Sequence, residues 1–376
     1  MSKRSMMKKT LAIAMFCVSG IALTALPSKA ETKTGNPDNG VTQVRTGTPK
    51  TLTQEIELSQ NAIVKSYIKA FLNQKERFGR MLGLSKYYFP IYEKVLKEHN
   101  MPDQLKYISV IESALNPHAV STAGAAGPWQ FLNEIGKRYG LAVNDSLDER
   151  RDPLLACNAA ANYLQESYNM YGNDWLVAIA SYNAGRNNIK WAMEDSGGKT
   201  NYWELRKYLP AETQSYVPAF IATVIIMNNP GRYGIEPIMG DFPVDTKTLQ
   251  LKKSFSMENV AKAANISLDQ LCALNPAYKK LTVYCTEKSP KRLVLPILPG
   301  FAYNAVYKEL GFPLDPDLPM APKVIKYYIS YRVQQGDTFD VIAEKFKITP
   351  EEVKRLNKMN DTSVLTPGMM LQIGQG

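Results

Sequence analysis

Residues 108–132 read ISVIESALNPHAVSTAGAAGPWQFL and place one carboxylate where an apolar stripe should continue. Leu105, Ile108, Glu112 and Leu115 recur at helical spacing, so a helix over 102–115 carries all four on one side. Burying an ionised carboxylate is costly, and the cheaper outcome is a raised pKa with the proton kept near neutral pH. A proton held in that way is what a general acid needs. The stripe alone leaves a plainer reading open, in which Glu112 edges the apolar face and reaches solvent or a salt bridge.

The neighbouring residues sharpen the chemistry. STAGAAGPWQ (121–130) lacks bulk until Trp129 and Gln130, so a polymer can approach the backbone there. SYNAG (181–185) closes an apolar helix with Tyr182 and Asn183. Flat aromatic faces and neutral hydrogen-bonding groups around one acid suit recognition of a sugar.

Glu112-Ser113, Pro117, Ser121, Gly124, Gly127 and Gln130 together resemble the signature of soluble lytic transglycosylase domains. SYNAG resembles the second motif of that family and ETQSYV (212–217) its third. The arrangement is most similar to the membrane-bound murein transglycosylase D type, which carries C-terminal LysM repeats; the likeness covers 85–230 and 250–374. It implies a mainly α fold, with a lysozyme-like helical catalytic domain followed by two small α+β LysM-like modules. It also implies a lyase-type reaction on peptidoglycan, for cell-wall remodelling or turnover. Glu112 would be the sole acid/base, cleaving the β-1,4 bond between N-acetylmuramic acid and N-acetylglucosamine as a 1,6-anhydro ring closes. Carried over residue by residue, the resemblance puts Ser113, Ser121, Gln130, Tyr182, Asn183 and Tyr216 around the substrate, with Tyr216 or Tyr182 holding Glu112. In the second repeat it assigns glycan binding to Gly336, Asp337 and Thr338. No cofactor and no metal are implied.

Two departures stand out. Pro128 replaces a usual apolar residue, which removes an N–H and fixes φ in the loop, and Ser181 replaces a common Ala. Two other functions stay open. A goose-type lysozyme-like hydrolase would need a second carboxylate, from Asp145, Asp148 or Glu149, whose plainer role is as loop charges beside Arg150 and Arg151. A non-catalytic wall-binding protein would be indifferent to Glu112.

These residues must be positioned by helices, because nothing over 54–230 alternates like a strand. Helices are expected at DPLLACNAAANYLQESYNMYG, at DWLVAIASYNAG and at ETQSYVPAFIATVIIMN, the last interrupted by Pro218. After Pro230 the chain repeats itself: VAKAANISLDQLCALNP (260–276) aligns with IAEKFKITPEEVKRLNK (342–358) at a constant offset of 82. Ser267 with Gln270, and Thr349 with Glu352, form a capping box at the same place in each copy. Each copy reads as strand–helix–helix–strand. Ser254-Phe255-Ser256 stands where the second copy has Gly336-Asp337-Thr338, so the first copy is a degenerate module.

The domain reading is therefore a signal peptide (1–30), a flexible leader (31–53) and a catalytic domain (54–235). A degenerate LysM-like module (250–299), a Pro-rich linker (300–325) and a LysM module (326–376) follow. Lys3, Arg4, Lys8 and Lys9 precede an apolar run too short for the roughly 20 residues of a membrane span. Removing 1–30 takes away five basic residues and no acid, lowering the formal charge from +10 to +5. A modest positive excess suits peptidoglycan glycan strands as the partner, and export disfavours nucleic acid. The expected mature form is monomeric, without a stable membrane span, in the periplasm or cell envelope. Cys272 and Cys285 are open to pairing, and Cys157 reads as a buried thiol. As tethers, the repeats would raise local substrate concentration; removing 250–376 would weaken sacculus binding and spare cleavage of short soluble glycans.

Overall fold

The computed structural model describes residues 56–240, 242–314, 328–346 and 348–375. The expected signal peptide and leader, 54–55 of the expected catalytic domain, 315–325 of the expected linker and 326–327 of the expected LysM module lie outside the described residues. The chain divides into two compact units, one ending at Ile297 and one beginning at Leu298.

Among the described residues, the first unit is helical from Ala62 to Tyr233. Its elements are α1 (Ala62–Phe71), α2 (Lys75–Glu98), α3 (Tyr107–Ser113), α4 (Asn133–Arg138), α5 (Pro153–Met170), α6 (Trp175–Ala184), α7 (Arg186–Asp195), α8 (Tyr202–Leu205) and α9 (Ala211–Asn228). Side chains set the starts of several: Asp152 accepts from the amides of Leu154 and Leu155 at α5, and Asp174 from those of Leu176 and Val177 at α6. Helix α9 is apolar on all sides and buried from Tyr216 to Met227, as a central helix must be. The expected break at Pro218 does not occur. Pro218 cannot donate to the Gln214 carbonyl four residues back, and Arg206 Nε takes that carbonyl at 2.8 Å, with the Tyr202 hydroxyl at 3.3 Å. The helix expected over 102–115 is shorter than its pattern, beginning as a 3-10 turn at Asp103–Lys106 and ending at Ser113.

The rest of the first unit is a small α+β module. Strands β1 (Thr246–Leu251) and β4 (Lys291–Pro296) pair antiparallel, from Thr246 opposite Pro296 to Leu251 opposite Lys291. Between them lie a short ladder of β2 (Phe255–Ser256) with β3 (Thr282–Val283), and helices α10 (Met257–Ala264) and α11 (Leu268–Leu274). In the second unit, α12 (Gly300–Leu310) occupies the start of the span expected as a linker. Strand β5 (Tyr328–Arg332), helices α13 (Phe339–Phe346) and α14 (Pro350–Leu356) and strand β6 (Met370–Gln375) follow. Both repeats thus have the expected strand–helix–helix–strand order.

The repeat is physical as well as textual. Val260 and Ile342, Ala261 and Ala343, and Leu271 and Val353 are all buried core positions. Asn275 donates to the carbonyls of Leu271 and Val294 and accepts from the Val294 amide, each at 2.8 Å. Asn357 does the same with Val353 and Gln372, at 2.8, 2.6 and 2.6 Å. One side chain thereby stitches the second helix to the last strand in both copies. Asn275→Ala removes the side-chain partner of three backbone groups and is expected to destabilise the chain by about 1–3 kcal/mol, read as a lowered thermal midpoint with the catalytic residues untouched.

Candidate active site

The carboxylate of Glu112 lies at the end of α3 and is 2% exposed. Leu105, Ile108 and Leu115 are buried with it, so the stripe is real and Glu112 belongs to its inside. The chain turns sharply after the helix, with Ala114 at φ 54° and Leu115 at φ 65°. Two consecutive non-glycine residues in the left-handed region are a strained arrangement, of the kind that collects at functional sites.

From α9, the Tyr216 hydroxyl donates to Glu112 Oε1 at 2.5 Å. Burial raises the Glu112 pKa from 4.5 to about 8; the Tyr216 hydrogen bond opposes the rise and the Glu212 charge adds to it. Glu112 therefore keeps its proton at neutral pH. Of the two tyrosines expected to hold it, Tyr216 does so. Tyr182 donates instead to the Trp129 carbonyl at 2.8 Å, although the charge of Glu112 is near enough to push its own pKa up, after burial.

The other site residues fall into two groups. Asn183 is joined to α9: the Thr213 hydroxyl donates to its Oδ1 at 2.8 Å, and its amide donates to Glu212 Oε1 at 3.3 Å. Ser113, Ser121 and Gln130 form the frame. Ser113 donates to the carbonyls of Ser109 (3.1 Å) and Pro128 (2.9 Å), which ties α3 to the loop. Ser121 accepts from the Ala125 amide, and Gln130 donates to the carbonyls of Ala119 and Gly127. The buried Oε1 of Gln130 has no donor among the described residues. Pro128 does not loosen this loop, since its carbonyl is the one Ser113 holds.

Glu212 and Arg150 were not singled out as site residues. Glu212 had a signal, because it precedes Tyr216 by four residues and so shares its helical face. Arg150 had none within its own segment. Its guanidinium donates to the carbonyls of Gly124 (2.9 Å) and Phe131 (3.0 Å) and makes a two-point ion pair with Asp148. A Cβ on Gly127 would stand 1.8 Å from the Arg150 carbonyl, so only glycine fits there. Of the three carboxylates considered for a hydrolase, Asp148 is thus spent on Arg150. Glu149 accepts from the Ala142 amide and lies 3.6 Å from Lys291, and Asp145 is exposed on its loop.

Gly336, Asp337 and Thr338 build a turn in the second unit. Gly336 has φ 91°, Asp337 accepts from the Gln334 amide (2.7 Å) and the Tyr331 hydroxyl (2.8 Å), and Thr338 accepts from the Val341 amide (3.2 Å). Cys272 and Cys285 are free thiols, as is the buried Cys157. Among the described residues no helix is long and apolar enough to cross a membrane.

Because the pKa of Glu112 is raised, the folded chain holds an extra proton between pH 4.5 and about 8, and stability falls as pH rises through that window. Glu112→Gln carries no such cost. The variant is expected to gain stability over the parent by a margin that widens to on the order of a few kcal/mol near pH 8, measured by chemical denaturation at several pH values. A margin independent of pH would show that Glu112 is not protonated in the folded state.

Residues 89–204 match the transglycosylase SLT domain, 245–298 the LysM-like domain of lytic transglycosylase MltD, and 331–374 the LysM domain. The chain is 31% identical over 288 residues to the membrane-bound lytic murein transglycosylase D of Escherichia coli K12, which covers 75% of this chain and 62% of that protein. It is 29% identical over 116 residues to the soluble lytic murein transglycosylase of the same organism, covering 30% and 18%. It is 36% identical over 88 residues to the peptidoglycan transglycosylase gp16 of Escherichia phage T7, covering 23% and 7%. The chain thus spans less than two thirds of the length of each of these relatives. The motifs and the matches agree: the chain carries a transglycosylase SLT domain, followed by an MltD-type LysM-like domain and a LysM domain.

Proposed function

We propose that this protein is a peptidoglycan lytic transglycosylase of the cell envelope, exported to the periplasm and acting there as a monomer. The observation that carries the reading is the buried, protonated Glu112 in the grip of Tyr216. With Oε1 taken by the tyrosine, Oε2 is left to carry the proton to the glycosidic oxygen between N-acetylmuramic acid and N-acetylglucosamine. Bond cleavage leaves Glu112 as a carboxylate, which the Tyr216 hydroxyl stabilises. That carboxylate accepts the proton of the muramoyl 6-hydroxyl as its oxygen closes on the anomeric carbon. The 1,6-anhydro end forms and Glu112 is reprotonated, so one residue serves as acid and then base. Retaining and inverting glycosidases use two carboxylates; a substrate that supplies its own nucleophile needs one.

The carbohydrate would be bound by Asn183 and by Gln130, whose unpartnered Oε1 can accept from a sugar hydroxyl or amide. Ser113 and Ser121 act through the loop they hold. The Gly336-Asp337-Thr338 turn would present the LysM module to glycan.

Hydrolysis has one observation in its favour. Glu212 lies close enough to raise the pKa of Glu112, and it is the carboxylate that could activate water. Mass spectrometry of muropeptides released from purified peptidoglycan separates the readings. Anhydro-ended products from the parent, and none from Glu112→Gln, are expected. Reducing ends would make the protein a hydrolase with Glu212 as the base. Equal release of nothing by both proteins would make it a binding protein.

The rate should follow the acid form of Glu112 and fall as pH rises through about 8. The Tyr216 bond lowers the pKa of Glu112, so Tyr216→Phe is expected to move that limb to higher pH while slowing turnover about 10–100-fold. A pH–rate profile with an unmoved limb would sever Tyr216 from the mechanism.

A further inference from the structure

The first LysM-like module is built onto the catalytic domain. Leu147 pairs with Tyr278 in an antiparallel bridge, the Asp148 amide donates to the Ala277 carbonyl at 2.8 Å, and the Lys279 amide donates to the Ser146 carbonyl at 3.0 Å. Lys279 Nζ reaches the Asn144 carbonyl at 3.0 Å. Arg292 Nη1 reaches both carboxylate oxygens of Asp152, at 2.9 and 3.0 Å. Leu274 and Val294 from the module belong to the same continuous core as Leu105 and Trp129.

The segment so gripped, 144–152, also holds the loop beside Glu112. Asp148 gives its amide to the module and its carboxylate to Arg150, and Arg150 holds the carbonyls of Gly124 and Phe131. Between those two residues lie Gly127, pressed on the Arg150 carbonyl, Pro128, which holds Ser113, and Trp129, which holds Tyr182. Asp152 caps α5 with the same carboxylate oxygen that Arg292 grips, so the module also reaches the start of a core helix.

We propose that the first LysM-like module is a brace for the active site, and that Arg292 is a positioning residue which acts through the 144–152 segment on the Gly124–Phe131 loop. The catalytic consequence rests on the transglycosylase reading. A loop displaced by an ångström is enough to shift the end of α3, which Ser113 ties to it, and so misalign Glu112 against the substrate. The module is then not a tether. The expectation that removing 250–376 spares cleavage of short glycans does not hold for its first half.

The test compares the full chain with Arg292→Ala, with Arg292→Lys, and with Lys252→Ala. Lys252 is a control, because its exposed pair with Glu287 lies within the module. Two readouts are taken without and with substrate. In amide hydrogen exchange, Arg292→Ala is expected to speed the Gly124–Phe131 amides about tenfold and leave the centre of α9 unchanged. In release of anhydro products from a short soluble glycan, kcat is expected to fall about tenfold with KM and sacculus binding unchanged. Arg292→Lys should recover most of both, and Lys252→Ala should match the parent. A folded Arg292→Ala with unchanged exchange overturns the proposal, as does changed exchange with unchanged kcat. If Arg292→Ala does not fold, Lys279→Ala combined with Lys291→Ala trims the same contact without touching Asp152 and is read in the same way. A parent that releases no product would remove the transglycosylase reading, while the exchange data would still decide whether the module braces the loop.

Discussion

The burial of one carboxylate organises the first unit. Glu112 is neutral because it is out of water, and it stays there because α3 and α9 close over it with the Tyr216 hydroxyl between them. Such burial is tolerable only if the surroundings are rigid enough to keep water out, and a neutral carboxyl is cheaper to bury than an ion. Helix α9 supplies the rigidity through its apolar length, and Arg206 and Tyr202 repair the carbonyl that Pro218 leaves open. The strained residues Ala114 and Leu115 persist because the buried Leu115 anchors the turn.

Much of this was legible in the residues. The position of Glu112 on a buried face follows from helical spacing, and among the motif residues Tyr216 bonds Glu112, Ser113 ties its helix to the 121–130 loop, and Asn183 bonds Glu212. The repeat was legible in detail, down to Asn275 and Asn357, because a side chain bridging helix to strand must recur in every copy of the module. What was not legible depends on contacts between distant segments. Spacing cannot say whether Tyr216 or Tyr182 reaches Glu112, since both lie on helices that pack near it. It cannot show that Pro218 is tolerated, because the groups satisfying Gln214 come from a different helix and turn.

The acidic stretch at 145–149 shows the same limit from the other side. In sequence, Asp145, Asp148 and Glu149 are three carboxylates that could activate water. In the fold their chemistry is used up by geometry: Asp148 by Arg150, Glu149 by an amide and a lysine, while Asp145 faces solvent. The carboxylate that does approach Glu112 is Glu212, one helical turn before Tyr216. Charge composition alone could not rank these four; burial and partners do.

The two repeats show how one scaffold serves two purposes. The second keeps Gly336-Asp337-Thr338, whose side chains fold the turn onto its own amides. At the matching positions the first has Ser254-Phe255-Ser256, which appears as decay if glycan binding is the only use considered. Phe255 is buried, pairs with Val283 and meets the Tyr278 ring edge-on at 6.2 Å. Tyr278 is the residue that bridges to Leu147, and its neighbours Ala277 and Lys279 complete the contact. The substitution that removes the glycine turn therefore supplies the apolar support for the docking edge. Asp337 could not have done so, because a carboxylate at that buried position would lack the Tyr331 and Gln334 donors that satisfy it in the second copy. What distinguishes the first module is then a change of surface, from one that folds its own turn to one that grips the catalytic domain.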